Sequence, residues 1–204
     1  MSNAQEKNRT VMVRETVLGD GRPKICVPLT ARSMKELEEQ LELIMQVQCD
    51  LVELRADYFD QHTLTESLEE ILRLVREKIR EKVLVFTFRT QPEGGERTIS
   101  FEDYRSLNLR AADSEADLVD LELFTIQNTR EKTALSDADT AWPDADAARS
   151  TQDAAQTDAG PAFVREIHAK GCKVIGSSHD FEKTPETEEM VCRLVRMQDR
   201  KSVV

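Results

Sequence analysis

Basic side chains are the minority in this 204-residue chain: 28 Lys and Arg stand against 39 Asp and Glu, a formal net charge of −11. A phosphate backbone is gripped by clustered Lys and Arg, so this balance disfavours a nucleic acid partner. Long apolar runs are also missing. None approaches the ~18 residues of a membrane-spanning helix, and a content of 39% hydrophobic and 33% charged residues argues against both a membrane protein and wholesale disorder. The first ten residues, Met1 to Thr10, are polar and lack the apolar stretch of a secretory signal. The expectation is a soluble cytoplasmic protein without a membrane partner. Cys26, Cys49, Cys172 and Cys192 show no CxxC spacing, and His168 beside Cys172 has no second ligand pair nearby. No metal is expected, and the cysteines read as small hydrophobes in a reducing compartment.

The acid that is present is unevenly spread. Thr133 to Gly160 holds six Asp, one Arg and nine Ala, a net of −5 in 28 residues, with Leu135 and Trp142 as its large apolar side chains. Such a stretch buries little apolar surface and reads as a solvated, disordered insertion rather than a domain. The other 176 residues carry −6, an ordinary balance for a globular enzyme.

Outside 133–160 two periodicities alternate. Thr10 to Val17 and Lys24 to Leu29 flank Gly19-Asp20-Gly21, as a hairpin or as a loop feeding a first core strand. Leu37, Leu41, Ile44 and Met45 mark a helix over 33–47, with Ser33 as N-cap and Glu36 three residues on. Strands are expected over 51–55, 82–88, 117–123 and 173–178, and helices over 65–79, 101–112, 163–169 and 185–198. Five βα units in strict alternation imply an α/β fold with a parallel sheet, either doubly wound or a barrel. The first βα turn, Leu29 to Ser33, has no glycine, which counts against a doubly wound nucleotide fold. Polar groups recur at successive strand ends, as the active face of a (β/α)8 TIM barrel requires. Eight units take roughly 250 residues, so five of eight imply an incomplete barrel forming a single partial domain.

Several of those polar groups can carry chemistry. Glu53 and Arg55, two apart on one strand, point to the same face. They read as a structural ion pair or as a polar ligand site, since an unpaired charge in a barrel interior is expensive. Arg89, followed by Glu93 and Gly94-Gly95, offers an anion clamp and a carboxylate to orient a neighbour, or simply a solvated turn. His179 directly follows a buried-type strand and is a candidate general acid/base, because its unperturbed pKa of ~6.5 lies near working pH. Its plainer reading is a capping or core histidine. His62, in a polar loop, and His168, on a helix, read as structural.

Four strings carry a resemblance: VELRADYF (52–59), FTFRTQPEGGE (86–96), ADLVDLELF (116–124) and SSHDFEKTP (177–185). In this order they resemble type I 3-dehydroquinate dehydratase, and the likeness runs from about Thr10 to Gln198 apart from the acidic stretch. The resemblance implies a (β/α)8 barrel and a hydro-lyase of the shikimate pathway, dehydrating 3-dehydroquinate to 3-dehydroshikimate. It implies His179 as the general acid/base, Glu93 as the carboxylate that positions it, and Glu53, Arg55 and Arg89 as substrate-binding residues. It implies no metal or organic cofactor and a homodimeric full-length protein. The family's electron sink is a lysine imine formed on the sixth strand. That lysine is absent here: Lys201 has no strand pattern before it, and Lys170 and Lys173 flank the wrong end of the fifth strand. The chain is therefore expected to be C-terminally truncated and inactive. Asp199 to Val204, which reads as translated sequencing adapter, is expected to be a non-native tail. Pro28 stands where some family members have a substrate-contacting Ser. Two other readings are an inactive barrel fragment that binds a small anion or a partner through Arg55 and Arg89, and another lysine-imine barrel such as an aldolase.

Overall fold

The computed structural model describes residues 10–122, 159–181 and 184–199. Most of the acidic stretch 133–160 and the residues 200–204 of the expected tail lie outside them.

The first apolar run does not continue into the sheet but folds on itself. Val11–Val13 (β1) pairs antiparallel with Thr16–Leu18 (β2), and the chain reverses at Arg14-Glu15. Arg14 sits at φ 52, a left-handed conformation that costs a residue with a Cβ roughly 1–2 kcal/mol. Its side chain is tied down by an ion pair from Nε to Asp117 Oδ1 at 2.7 Å. Gly19-Asp20-Gly21 is therefore the connecting loop and not the hairpin turn, with both glycines at positive φ.

Five parallel strands follow: Cys26–Leu29 (β3), Leu51–Arg55 (β4), Val83–Thr87 (β5), Leu118–Glu122 (β6) and Lys173–Ser177 (β7). They pair in chain order, β3-β4-β5-β6-β7. Doubly wound sheets reverse their order at a switch point. This sheet has no reversal, which is the winding of a barrel wall.

Four helices cover one face of the sheet, Met34–Ile44 (α1), Gln61–Ile79 (α2), Phe101–Asp113 (α3) and Ala159–Ala169 (α4), and Thr187–Asp199 (α5) follows the last strand with Met190, Val191, Leu194 and Val195 exposed. Ser33 Oγ caps α1 by accepting from Glu36 N at 3.3 Å, as the sequence predicts. The start of α2 is earlier than apolar periodicity suggests, because Asp60 accepts from Thr63 N at 2.9 Å and caps a polar first turn. His62 consequently lies on that helix and not in a loop. The fourth helix opens at Ala159, so the last two residues of the acidic stretch are helical, with Pro161 in the first turn where its missing N–H has no cost. At α5 the Glu186 carbonyl accepts from Met190 N, so Pro185 precedes the cap instead of entering the helix.

The two faces of the sheet differ in chemistry. Alternate residues such as Val52, Leu54, Leu84, Phe86, Val119 and Leu121 are fully buried against the helices. The opposite face carries Leu51, Val83, Val85 and Leu118 near the start of the strands, packed with Val13 of the hairpin. Beyond them that face turns polar. Cys172 is buried in the helix-side core, where burial pushes its thiol up to about 12, and Cys49 packs beside that core. Cys26 and Cys192 are exposed, and all four cysteines are free thiols. Among the described residues no helix is long and apolar enough to cross a membrane.

Candidate active site at the strand ends

The register decides which side chains meet. Arg55 on β4 is level with Thr87 on β5, and Thr87 with Asp120 on β6; Glu122 is level with Ser177 on β7. Side chains alternate along a strand, so Glu53, Arg55, Thr87, Asp120, Glu122 and Ser177 share the face that begins with Leu51, Val83 and Leu118. This is the barrel-side face, and its polar layer lies toward the C-terminal ends.

Arg89, just beyond β5, is the centre of this layer. It is buried, with its NH2 3.1 Å from Asp120 Oδ1 and its NH1 3.2 Å from Glu122 Oε1, 2.9 Å from Ser177 Oγ and 3.9 Å from Glu93 Oε2. Burial works against its charge, but Asp120 and Glu122 more than offset that and hold the guanidinium above its ordinary value. Ser177 Oγ in turn donates to Asp120 Oδ1 at 2.6 Å. Glu122 accepts from Thr90 N at 2.8 Å and from Thr90 Oγ1 at 2.6 Å. Burial, and then the nearby charge of Glu93, push the Glu122 carboxyl above the usual carboxylate range even so. From the helix side, Tyr104 Oη accepts from Glu122 N at 3.1 Å and fixes the end of β6.

His179 and Glu93 come together from opposite ends of the sequence. Glu93 Oε2 lies 3.0 Å from His179 Nδ1 and also accepts from the His179 backbone N–H at 3.0 Å. A carboxylate on Nδ1 selects the tautomer with its proton there, leaving Nε2 as the basic atom. The Phe181 ring stacks on the imidazole with centroids 6.1 Å apart. Gly94 lies beneath it at φ 83, a conformation that strains any residue with a Cβ, and a Cβ there would come within 2.3 Å of the Phe181 ring and displace it. At Gly95 a Cβ would meet the Arg89 carbonyl oxygen at 1.9 Å, so this turn needs two small residues in succession. The pair Gly94-Gly95 thus lets the loop fold onto its own strand end.

Glu53 and Arg55 do not pair with each other. Arg55 makes a two-bonded ion pair with Asp57, Nε to Oδ1 and NH2 to Oδ2, both at 2.9 Å. Glu53 is half-buried and makes no hydrogen bond or ion pair among the described residues. All five residues singled out in the sequence therefore lie at one end of one sheet face. Sequence reasoning missed Asp57 and the way Asp120, Glu122 and Ser177 hold Arg89. The available signal was Asp120 and Glu122 themselves, two acids at alternate positions of an otherwise apolar strand.

Every described lysine lies on a helix or at or before the N-terminal end of a strand, away from this layer. Among the described residues no group of His, Cys, Asp and Glu is arranged to hold a metal ion.

A sequence model of type I 3-dehydroquinase matches residues 25–141 and 151–204. The chain belongs to the type I 3-dehydroquinase family. It is 37% identical to the 3-dehydroquinate dehydratase of Clostridium novyi over 192 residues, which is 94% of this chain and 64% of that protein. It is 36% identical to that of Escherichia coli O8 over 93% of this chain and 64% of the relative. Among solved structures it matches the type I enzyme of Clostridium difficile, determined with covalently modified comenic acid, at a TM-score of 0.75 and 32% identity, covering 96% of this chain and 66% of the other. A 3-dehydroquinate dehydratase structure from Enterococcus faecalis matches at 0.74 and 30%, covering 94% and 68%. The family is built on the TIM barrel, of which the five βα units described above are a part. The chain spans 64% of the length of the curated relatives.

Proposed function

We propose that these residues form the proton-transfer and substrate-gripping part of a 3-dehydroquinate dehydratase, a hydro-lyase of the shikimate pathway working in the cytoplasm. The observation that supports this best is the 3.0 Å contact of Glu93 with His179 Nδ1, facing a layer that holds Arg55, Arg89 and Glu53. His179 Nε2 removes a proton from C2 of the substrate and returns it to the departing C1 hydroxyl, which leaves as water on the same face. Glu93 keeps the imidazole oriented and stabilises its cationic form between the two transfers. Arg55 and Arg89 donate to the substrate's hydroxyls, and Glu53 accepts from one. The C2 proton becomes acidic because the C3 ketone is held as an imine by a lysine amine, with loss of one water that is regained on release. The described lysines all lie away from the site, so we assign the imine to none of them.

The 204 residues alone are then expected neither to form 3-dehydroshikimate nor to give a borohydride-trapped adduct with 3-dehydroquinate. A chimera in which Gln198 is followed by the C-terminal third of the Clostridium novyi relative is expected to do both. In that chimera His179→Ala should lower the rate by roughly 10²–10⁴-fold, the usual share of general acid/base catalysis. A substrate-mass adduct on the 204-residue chain, or a folded chimera without either signal, would refute the reading. The alternative of a simple anion-binding fragment is disfavoured by Arg89, whose charge is already neutralised by Asp120 and Glu122.

A further inference from the structure

Asp57 has a fully buried side chain, yet it accepts four hydrogen bonds from three separate stretches of chain. Arg55 gives two, from Nε and NH2. The Arg89 backbone N–H gives a third at 3.3 Å and the Glu96 N–H a fourth at 3.1 Å. These two amides bracket the loop that carries Glu93. The Asp57 carbonyl also accepts from Arg97 Nε at 3.1 Å. A second path returns over the surface. The guanidinium carbons of Arg55 and Arg32 lie over the Tyr58 ring, 5.2 and 5.1 Å from its centre. Arg32 pairs with Glu96 at 2.7 Å, which closes a circuit back to Asp57.

We propose that Asp57 is the positioning residue of this site, setting the grip of Arg55 and anchoring the loop that aims Glu93 at His179. The functional part of this inference rests on the reading given under the proposed function. A guanidinium has five N–H groups. Asp57 occupies Nε and one hydrogen of NH2, so Arg55 presents its NH1 end, with NH1 and NH2 able to grip two neighbouring oxygens. Free rotation of Arg55 would scatter that geometry, and Asp57 removes it. Vicinal hydroxyls of a cyclic polyol suit such an end-on pair of donors.

The test uses the whole 204-residue chain, labelled with nitrogen-15, and quinate, which carries a hydroxyl where 3-dehydroquinate has its ketone. Hydrogen exchange at Arg55 Nε–H should be slowed about tenfold or more relative to the exposed Arg73, as expected for a partly buried charge-assisted bond. Asp57→Asn should speed Arg55 Nε–H and Glu96 amide exchange about tenfold and weaken quinate binding by a similar factor. In an Arg55→Lys background Asp57→Asn should cost little further binding, since the two act as a unit. Arg32→Ala, at an exposed position, keeps the question open to test if Asp57→Asn does not fold; it should raise Arg55 exchange about twofold to fivefold. Exchange at Arg55 as fast as at Arg73, or Asp57→Asn with unchanged exchange and binding, would overturn the proposal. If the unaltered chain shows slow Arg55 exchange but no quinate binding, the functional reading fails and the positioning role stands.

Discussion

Replacing Arg89 with Met tests the polar layer most directly. The substitution keeps an unbranched side chain and removes the cation that faces Asp120, Glu122 and Glu93 within 3.1, 3.2 and 3.9 Å. The Arg89 side chain is 8% exposed and those of Asp120, Glu122 and Glu93 are 10%, 1% and 7% exposed, so water does little to screen what is left behind. Removing one partner of a buried pair costs about 3–5 kcal/mol, chiefly because the other charge remains buried. With a urea slope of about 2 kcal/mol per molar, the unfolding midpoint should fall by about 2 M at pH 7. The loss should shrink in acid. Without the cation, buried Glu122, whose carboxyl is already held above the usual carboxylate range, binds its proton more tightly still, so the deficit grows as pH rises above that range and fades below it. Adding Asp120→Asn to Arg89→Met should then restore about 1–2 kcal/mol, although Asp120→Asn alone is destabilising. Urea titrations of the four proteins at several pH values measure every term. A midpoint loss equivalent to less than about 1 kcal/mol, or strictly additive single and double variants, would show that Arg89 is not the counter-ion of this layer.

Three further outcomes follow from individual contacts. The folded chain should hold the Glu122 proton at pH values where the unfolded chain has released it, because burial raises that carboxyl; its stability should fall as pH rises from the ordinary carboxylate value through the raised one, and Glu122→Gln should flatten the thermal-midpoint curve over that window. Parallel curves for the two proteins would count against it. Gly94→Ala should cost about 1–2 kcal/mol and push Phe181 off the imidazole, visible as lost ring-current shifts on His179; unchanged shifts would contradict the contact. Iodoacetamide at mild alkaline pH should label exposed Cys192 rapidly and Cys172, whose thiol is pushed up to about 12 by burial, only after unfolding; equal rates by peptide mass spectrometry would refute that difference.

The barrel wall was legible because its signals are local. The strand Leu51–Arg55 has the bounds its apolar run predicts, and Ser33 caps the helix it precedes. The hairpin turn at Arg14-Glu15 was not legible, since neither residue favours a positive φ and the conformation is held by an ion pair to Asp117, 103 positions away. The first turn of α2 was hidden for a different reason: Gln61 to Thr63 are polar and only the Asp60 cap marks them. At the site, residue type and position were readable and pairing was not. Glu53 is the acid two residues before Arg55, yet Arg55 turns to Asp57 because the strand ends there and the following 3-10 turn brings Asp57 alongside. The bonds from Arg89 and Glu96 to Asp57 span 32 and 39 positions, beyond any periodicity.

Those pairings change what the two arginines can offer a ligand. Each is already matched by an internal acid, Arg55 by Asp57 and Arg89 by Asp120 and Glu122. With Glu53 and Glu93 on the same face, the layer holds more acid than base, so it does not attract ligands as a positive field would. What remains are N–H groups held in fixed directions: Nε and one NH2 hydrogen of Arg89, and the NH1 end of Arg55. Oriented donors next to a carboxylate acceptor suit hydroxyls better than an isolated anion. Binding of a polyhydroxylated ligand should therefore weaken only slightly between low salt and about 0.15 M, where exposed charges more than about 8 Å apart are screened. A steep loss across that range would mean that recognition runs through net charge, and the internal acids would then be a hindrance to binding with no purpose in it.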